Sequence, residues 1–288
     1  MKKDGQLAMD RKKEIRELLK LSPQEVIDRA AGRLMVCEDL DELHRRFAGQ
    51  IAQEISSHNQ AGEPTRLIVP VGPTGQYPIL AEIINNQKLS LADCWFFFMD
   101  EYCDEQGRAV SEDHPLSFKR QAKRLFLDRL AAELLPPKEH IIFPDQTNID
   151  TLETLIEEVG GIDTCYGGIG IDGHVAFNEP QPQVKDTGPR RVRLNDFTVT
   201  INAIRAQVGG NLECFPREAY TLGMRQILGA KRIRLYSRSG CEFDWANTVL
   251  RVGLFGQPGD DYPATHIRGK EYIIITDRQT LACPNNLL

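Results

Sequence analysis

The chain has 288 residues, of which 41% are hydrophobic and 26% charged, and its formal net charge is −6. This composition is ordinary for a soluble globular protein, and the acidic excess argues against a general nucleic-acid-binding or anionic-membrane surface. No apolar run approaches the roughly 20 residues of a membrane-spanning helix, and the first 20 residues lack the apolar core of a secretory signal. Seven scattered cysteines without a CxxC pair favour reduced thiols. We therefore expect a cytoplasmic protein that binds neither nucleic acid nor membrane.

The N-terminal part of the chain predicts an appended helical extension. The segment LSPQEVIDRAA (21–31) places a serine where it can cap a helix and a proline at the first helical position. We divide the chain into a helical extension over residues 1–33 and a single domain over residues 34–288. The extension is expected to serve in packing or in oligomer contacts.

Beyond the extension, short apolar runs alternate with helical patterns. The runs that predict strands are RLIVPV (66–71), CWFFFM (94–99), HIIF (140–143), TCYGGIG (164–170), RIRLYS (232–237) and EYIIIT (271–276). The stretches that predict helices are YPILAEIINNQ (77–87), SFKRQAKRLFLDRLAAELL (117–135), TLETLIEEV (151–159) and a segment near 242–251. This alternation predicts an α/β domain, a Rossmann-like three-layer sandwich with a mostly parallel sheet. The segment RVRLNDFTVTI (191–201) fits either an antiparallel excursion or a lid.

Two polar loops follow the first two predicted strands, where open α/β sheets bind ligands. The turn VGPTGQ (71–76) leads into a helix, and its backbone N–H groups and the Thr74 hydroxyl can hold a phosphate. A strand-to-helix turn would need glycine and proline in any case. In MDEYCDEQGR (99–108), Asp100 directly follows a strand. Its carboxylate can remove a proton from a bound substrate or cap the following turn.

A third stretch, GGIGIDGHVAFNEP (167–180), brings Asp172, His174 and Glu179 within eight positions. Flanking carboxyl groups can fix the tautomer of an imidazole and stabilise the imidazolium. Asp and His also ligate metals, but no further ligand is recognisable nearby, so we expect no metal. The grouping therefore favours acid–base chemistry.

Taken together, MDEY and GxGxDGHxAFNEP resemble the glucosamine-6-phosphate deaminase/isomerase family, over about residues 35 to 280. The related 6-phosphogluconolactonases have a similar DGH segment but usually continue with Ser and Phe-Pro, so AFNEP favours the deaminase branch. The resemblance implies an enzyme that converts glucosamine 6-phosphate, or a close analogue, to a ketose phosphate and ammonia. It implies a small sugar phosphate as partner, no metal or organic cofactor, and a possible homo-oligomer.

The resemblance also assigns catalytic roles. Asp100 matches the base that moves a proton between C2 and C1 of the open-chain sugar. His174 matches the acid/base that opens the sugar ring, with Asp172 and Glu179 as its polarising partners.

At the phosphate end, the resemblance is less complete. Arg205 falls where the family places an arginine on the sugar phosphate, and Gly72 and Thr74 match the phosphate loop. The family loop usually resembles TGGTPxxxY, whereas this chain has VGPTGQYP.

The family also places a phosphate-contacting lysine shortly after the strand that corresponds to RIRLYS. Here Cys241, Glu242 and Phe243 stand where that lysine is expected. Arg238 or Arg225 can supply the missing charge, or both are solvated surface residues. An altered phosphate end implies a different sugar phosphate or a different amine.

Two other functions stay open. One is a sugar lactone hydrolase like the lactonase branch; the other is a non-catalytic sugar-phosphate-sensing domain, since bacterial regulator effector domains share this fold. Residues 1–40 predict one or two helices and no clear DNA-recognition helix. A pure sensor would not need Asp100 together with His174, so we prefer the enzyme.

Overall fold

The computed structural model describes residues 10–238, 245–284 and 286. Its strands are β1 (Leu34–Cys37), β2 (Thr65–Val69), β3 (Cys94–Phe98), β4 (Asp100–Tyr102), β5 (Ile141–Ile142), β6 (Thr164–Gly168), β7 (Arg190–Arg193), β8 (Glu218–Thr221), β9 (Arg232–Tyr236) and β10 (Tyr272–Asp277). Its helices are α1 (Arg11–Leu19), α2 (Pro23–Ala30), α3 (Leu40–Ala61), α4 (Gln76–Gln87), α5 (Phe118–Leu125), α6 (Leu152–Glu158), α7 (Asp196–Arg205), α8 (Met224–Gly229), α9 (Ala246–Phe255) and α10 (Arg278–Leu281). Short 3₁₀ turns lie at Leu127–Arg129, Ala132–Leu134, Lys138–His140, Val184–Asp186 and Pro263–Gly269.

Within the described residues, seven strands pair in the order β1-β10-β9-β6-β2-β3-β5, every neighbour parallel. Successive side chains of a strand point to opposite faces. In β2, Leu67 and Val69 pack in the core formed with α3, α4 and α5, whereas Ile68 packs in the core shared with α6, α8 and α9. The predicted mostly parallel sheet between two helical layers is confirmed.

A second, antiparallel sheet joins β4, β8 and β7, in that order. The segment 191–201, for which the sequence left two interpretations, divides between an antiparallel strand and a helix. β7 ends at Arg193, and Asn195 caps α7 by accepting the Thr198 N–H at 2.9 Å. This small sheet starts directly after β3, so it extends one edge of the main sheet towards the loops.

The expected single helix over 117–135 is wrong. α5 ends at Leu125, and Phe126 leaves the helical conformation with φ −129° and ψ −71°. Its buried ring packs 5.5 Å from the Tyr77 ring and 5.7 Å from the Phe96 ring, measured between centroids. Tertiary burial of one aromatic side chain therefore outweighs helix propensity here.

The N-terminal segment forms two helices, as predicted. Ser22 caps α2: its hydroxyl accepts the Glu25 N–H, and the Glu25 carboxylate accepts the Ser22 N–H at 2.8 Å. This reciprocal pair is a capping box, and Pro23 follows at the first helical position. Leu18 and Val26 are buried in the core shared with α9. The helices are thus docked on the sheet domain, while the domain boundary at residue 33 stays a prediction.

The helix expected near 242–251 is α9, which begins at Ala246; residues 242–244 lie outside the described part. Among the helices of residues 10–238 and 245–284, none combines the length and apolar character that crossing a membrane requires.

Candidate active site

A cavity of about 550 Å³ lies at the carboxyl ends of the central parallel strands. Parallel strands bring the loops that follow them to one edge of the sheet. Of the residues singled out in the sequence, those that line this cavity are Gly72, Thr74, Asp100, His174, Arg205 and Arg238. Residues from five separate segments therefore meet at one place.

Asp100 is the first residue of β4 and is only 8% exposed. Alternation along the strand points Asp100 and Tyr102 towards the cavity. Burial, together with the neighbouring Glu101 carboxylate, raises the pKa of Asp100 to about 8. A carboxylate of that basicity is well matched to removing a proton near neutral pH.

Glu101 does the capping that the sequence left open for Asp100. Its carboxylate accepts the backbone N–H groups of Phe118 and Lys119, at 3.0 and 2.8 Å, and the Ser117 hydroxyl at 3.1 Å. These donors form the N-terminus of α5. Glu101 thereby fixes β4 against α5, which leaves Asp100 facing the cavity.

Asp172 holds the His174 ring at its Nδ1 atom. The Asp172 Oδ1 lies 2.6 Å from His174 Nδ1, and Asn195 Nδ2 donates to Asp172 Oδ2 at 2.7 Å. The Cε1–Nε2 edge of the ring lies against Gly170, where any Cβ would overlap it. The glycine spacing of this loop is therefore what admits the imidazole, and Nε2 is the nitrogen left for a ligand.

Two carboxyl groups around His174 differ in their pKa. Burial alone would raise the pKa of Asp172, but the hydrogen bonds from His174 and Asn195 outweigh it and lower that pKa. Burial raises the pKa of Glu179, although Thr198 and the Asn195 N–H donate to its carboxylate. Asp172 is thus the ionised partner that orients His174.

Asn195 is a site residue that the sequence analysis missed. Its side chain holds Asp172, its backbone N–H holds Glu179 at 2.8 Å, and it caps α7. An Asn before an Asp and an apolar run is an N-cap signature, so the helix start was readable. That this cap would also reach a loop about twenty positions earlier was not.

Asp172, His174 and Glu179 offer potential metal ligands within 4.8 Å of one another. Several of these atoms already make hydrogen bonds: His174 Nδ1 with Asp172, Asp172 with Asn195, and both Glu179 oxygens with the Asn195 backbone N–H, which leaves His174 Nε2. A cation here would have to replace these bonds. The arrangement favours an acid–base group over a metal centre.

The loop after β2 also lines the cavity. Gly72 and Thr74 line it, and Gly75 begins α4 without a side-chain cap. Gly168 ends β6, the neighbour of β2 in the sheet. A Cβ on Gly168 would lie 3.1 Å from the Gly72 carbonyl oxygen, so glycine favours this close approach of β6 to the loop. Uncapped N–H groups at a helix start favour an anion.

Arg205 and Arg238 also line the cavity, and so does Trp245, which the sequence analysis did not single out. The Arg205 guanidinium lies 4.8 Å from the Trp245 ring centroid, within cation–π range. Arg225, the alternative source of positive charge, lies elsewhere: its NH2 is 2.6 Å from Glu153 Oε2. Only Arg238 of these two candidates is placed at the cavity.

Cys241, Glu242 and Phe243, which stand where the family lysine is expected, lie outside the described residues. Aromatic rings also line the cavity: Tyr102 and Phe177 belong to the MDEY and AFNEP motifs, whereas Phe118 and Phe215 were not singled out in the sequence.

Comparison with protein-family models finds no match. A glucosamine-6-phosphate deaminase from Phocaeicola vulgatus is 31% identical over 209 residues, which are 70% of this chain and 75% of the relative. The structure of a monomeric glucosamine-6-phosphate deaminase superposes with a TM-score of 0.73 at 24% identity, covering 86% of this chain and 98% of that one. A 6-phosphogluconolactonase from Thermotoga maritima gives 0.63 at 18% identity, covering 85% and 98%. The structural likenesses show a shared fold, and the sequence identity over most of a relative is decisive. The chain belongs to the glucosamine-6-phosphate deaminase family.

Proposed function

We propose that the chain is an enzyme that isomerises and deaminates an amino-sugar 6-phosphate, glucosamine 6-phosphate or a close analogue, giving a ketose phosphate and ammonia. The observation that carries the proposal is that Asp100 and His174 line one cavity together with Arg205, Arg238 and the loop before α4. The name and identity of the curated relative support the same reaction.

The first step is opening of the pyranose ring, because the closed sugar hides its carbonyl. His174 Nε2 takes the proton of the anomeric hydroxyl and delivers it to the ring oxygen as the C1–O5 bond breaks. Asp172, 2.6 Å from Nδ1, keeps the imidazole in the tautomer that leaves Nε2 unprotonated. It also stabilises the imidazolium formed in between.

The second step is a proton shift between neighbouring carbons. The Asp100 carboxylate takes the proton from C2 while the carbonyl oxygen O1 takes a proton from the C2 ammonium group, which gives an enolamine. The resulting carboxylic acid returns its proton to C1 as the nitrogen lone pair forms the C2=N bond. The product is the imine of the ketose. Water adds to the imine carbon, and ammonia leaves. A buried base of raised pKa suits this step, since a positioned acid/base contributes about 10²- to 10⁴-fold.

The phosphate group of the sugar is held by two arginines and by the loop before α4. Arg205 and Arg238 supply positive charge, and the backbone N–H groups after Thr74 supply donors. Arg238 is a planar fork rather than the compact ammonium of a lysine, so it recognises the phosphate with a different geometry. This binding sets C1 and C2 between Asp100 and His174.

The test is a substrate panel. The chain is incubated with the 6-phosphates of glucosamine, galactosamine and mannosamine, and ammonia and ketose phosphate are measured together. Equimolar release from at least one is expected. Hydrolysis of 6-phosphogluconolactone without amino-sugar turnover would instead identify a lactonase, and binding without any turnover a sensor.

Two arginine variants test the phosphate assignment within the same assay. Arg205→Ala should raise the KM by about 10-fold or more, since a hydrogen bond to a charged group is worth about 1.5–3 kcal/mol. Arg225→Ala is the matched control and should leave the KM unchanged, because its partner is Glu153 on the surface. Equal effects of the two variants would contradict the assignment. The cytoplasmic location and the homo-oligomer stay predictions.

A further inference from the structure

The N-terminal helix α1 contacts residues 257–262, which lie between α9 and β10. Arg11 donates to both carboxylate oxygens of Asp261, at 2.7 and 2.9 Å, and to the Gln257 carbonyl oxygen at 2.9 Å. Its guanidinium also lies 5.8 Å from the Tyr262 ring centroid. Glu14, one turn later, accepts the Gln257 N–H at 2.8 Å and pairs with Arg11. Two side chains of one helix therefore fix this segment at several points.

This segment, residues 257–264, contacts the loop that carries His174. A Cβ on Gly173 would lie 2.8 Å from Tyr262 Cδ1 and 3.2 Å from the Tyr262 Cα, so the two backbones are in close contact. Ala264 N–H donates to the Gly173 carbonyl oxygen at 2.8 Å. Gly173 has φ +80°, a left-handed conformation that favours glycine. Its two chain neighbours are Asp172 and His174.

We propose that Arg11 and Tyr262 are positioning residues for His174: the N-terminal extension holds residues 257–264 against Gly173 and thereby sets where the Asp172–His174 pair stands in the cavity. The proposal rests on the proposed role of His174 in ring opening. It gives the extension a part in catalysis, where the sequence suggested only packing or oligomer contact.

Physical reasons favour a catalytic effect over mere stabilisation. The Asp172–His174 pair lies in a glycine-rich loop that Asn195 holds through Asp172 and that the Gly170 N–H closes by donating to the His174 carbonyl oxygen at 2.9 Å. Residues 257–264 add the contacts at Gly173, between the two side chains. Gly173 receives these contacts from Ala264 and Tyr262. Misplacing a catalytic group by about 1 Å can cost up to about 10²-fold in rate.

The test compares Arg11→Ala with Lys12→Ala, a neighbouring exposed cation on the same helix. Arg11→Ala should lower kcat by about 10-fold or more while changing the KM less than 2-fold, because the phosphate loop and Arg205 are untouched. In hydrogen exchange of the unliganded chain, peptides covering 167–180 should exchange faster, and those covering 66–76 should not. Lys12→Ala should match the wild type in both measurements.

A second pair of variants separates the ring of Tyr262 from its hydroxyl. Tyr262→Ala should reproduce the Arg11→Ala result, and Tyr262→Phe, which keeps the ring over Gly173, should not. Arg11→Lys keeps the charge but loses the bidentate fork, so it should lie between the wild type and Arg11→Ala.

Wild-type kcat in Arg11→Ala, or wild-type exchange in 167–180, would overturn the proposal. If Arg11→Ala does not fold, Tyr262→Ala against Tyr262→Phe decides in the same way. Exchange is measured without substrate. If the wild-type chain turned over no amino-sugar phosphate, the proposed function would fall, and exchange in 167–180 would still support or overturn the grip on the loop.

Discussion

The buried carboxyl groups of Asp100 and Asp172 have pKa values shifted in opposite directions. Asp100 is buried beside another carboxylate, and its pKa rises to about 8. Asp172 is also buried, but hydrogen bonds from His174 and Asn195 lower its pKa. Neighbouring titratable groups driven apart in this way divide the roles of an acid–base site. In the proposed mechanism Asp100 is therefore the group that exchanges a proton, and Asp172 is the charged partner that orients His174.

A first prediction follows for Asp100→Asn. The amide cannot accept the C2 proton, so kcat should fall by about 10²- to 10⁴-fold. The folded chain holds a proton on Asp100 up to about pH 8, whereas the unfolded chain releases it near pH 4. The carboxyl group therefore destabilises the folded state increasingly as pH rises through this window.

Asn removes that penalty, so the variant should be more stable than the wild type at pH 8–9, with little difference near pH 4. Thermal unfolding across this range measures it. A Tm difference that does not depend on pH would contradict the pKa assignment, whatever the activity.

At the scale of single residues, the sequence predicts what lies within one loop and not what crosses between loops. Asp172 and His174 are two positions apart, and their contact is local. Asn195 contacts Asp172 only because the fold places the start of α7 beside the Asp172–His174 loop. Likewise, nothing in the sequence separates Arg225 from Arg238; the direction in which each element points decides which one lines the cavity.

At the scale of elements, six of the seven strands of the parallel sheet were predicted, from short runs rich in apolar or β-branched residues, whereas β1 was not. β4 and β8 were not, since DEY and EAYT are short and carry polar residues: Asp100 faces the cavity, Glu101 accepts donors at the start of α5, and Thr221 accepts the Phe177 N–H. The helix over 117–135 failed at Phe126 for the related reason that one ring fits the core better outside the helix. The predictions thus failed at β4, which serves the site, and at the tertiary contact of Phe126, and they also missed the long helix α3.

A second prediction concerns Glu101, which joins β4 to α5. Glu101→Gln removes the negative charge that, after burial, raises the pKa of Asp100. The acidic limb of the kcat/KM profile should therefore move to lower pH. The amide also presents one acceptor oxygen to the donors at the start of α5 where the carboxylate presented two, so the Tm should fall.

Glu112→Gln is the matched control, because Glu112 pairs with Lys119 and Lys123 on the exposed side of the same helix. It should leave the pH profile in place. An unchanged limb in Glu101→Gln would show that Asp100 does not control the profile.

At the scale of the whole molecule, the N-terminal helices α1 and α2 and the C-terminal helix α10 all contact α9. Arg251 is fully buried, and its guanidinium donates to the carbonyl oxygens of Leu21, after α1, and of Leu281, at the end of α10, each at 3.1 Å. It also donates to Asn247 at 2.9 Å. One side chain thus ties the N-terminal extension, α9 and the C-terminal helix together.

A third prediction tests that closure with Arg251→Met, which keeps an apolar stem and removes the donors. The carbonyl oxygens of Leu21 and Leu281 would be left buried without them, at about 1–3 kcal/mol each. The Tm should fall by several degrees, since about 1 kcal/mol corresponds to roughly 2–4 °C in a chain of this size range. Arg278→Ala is the control: its partner Glu38 is exposed, and removing an exposed pair should not shift the Tm measurably. A Met variant as stable as the wild type would mean that the two ends are held by apolar packing alone, through Leu18, Val26 and Leu281.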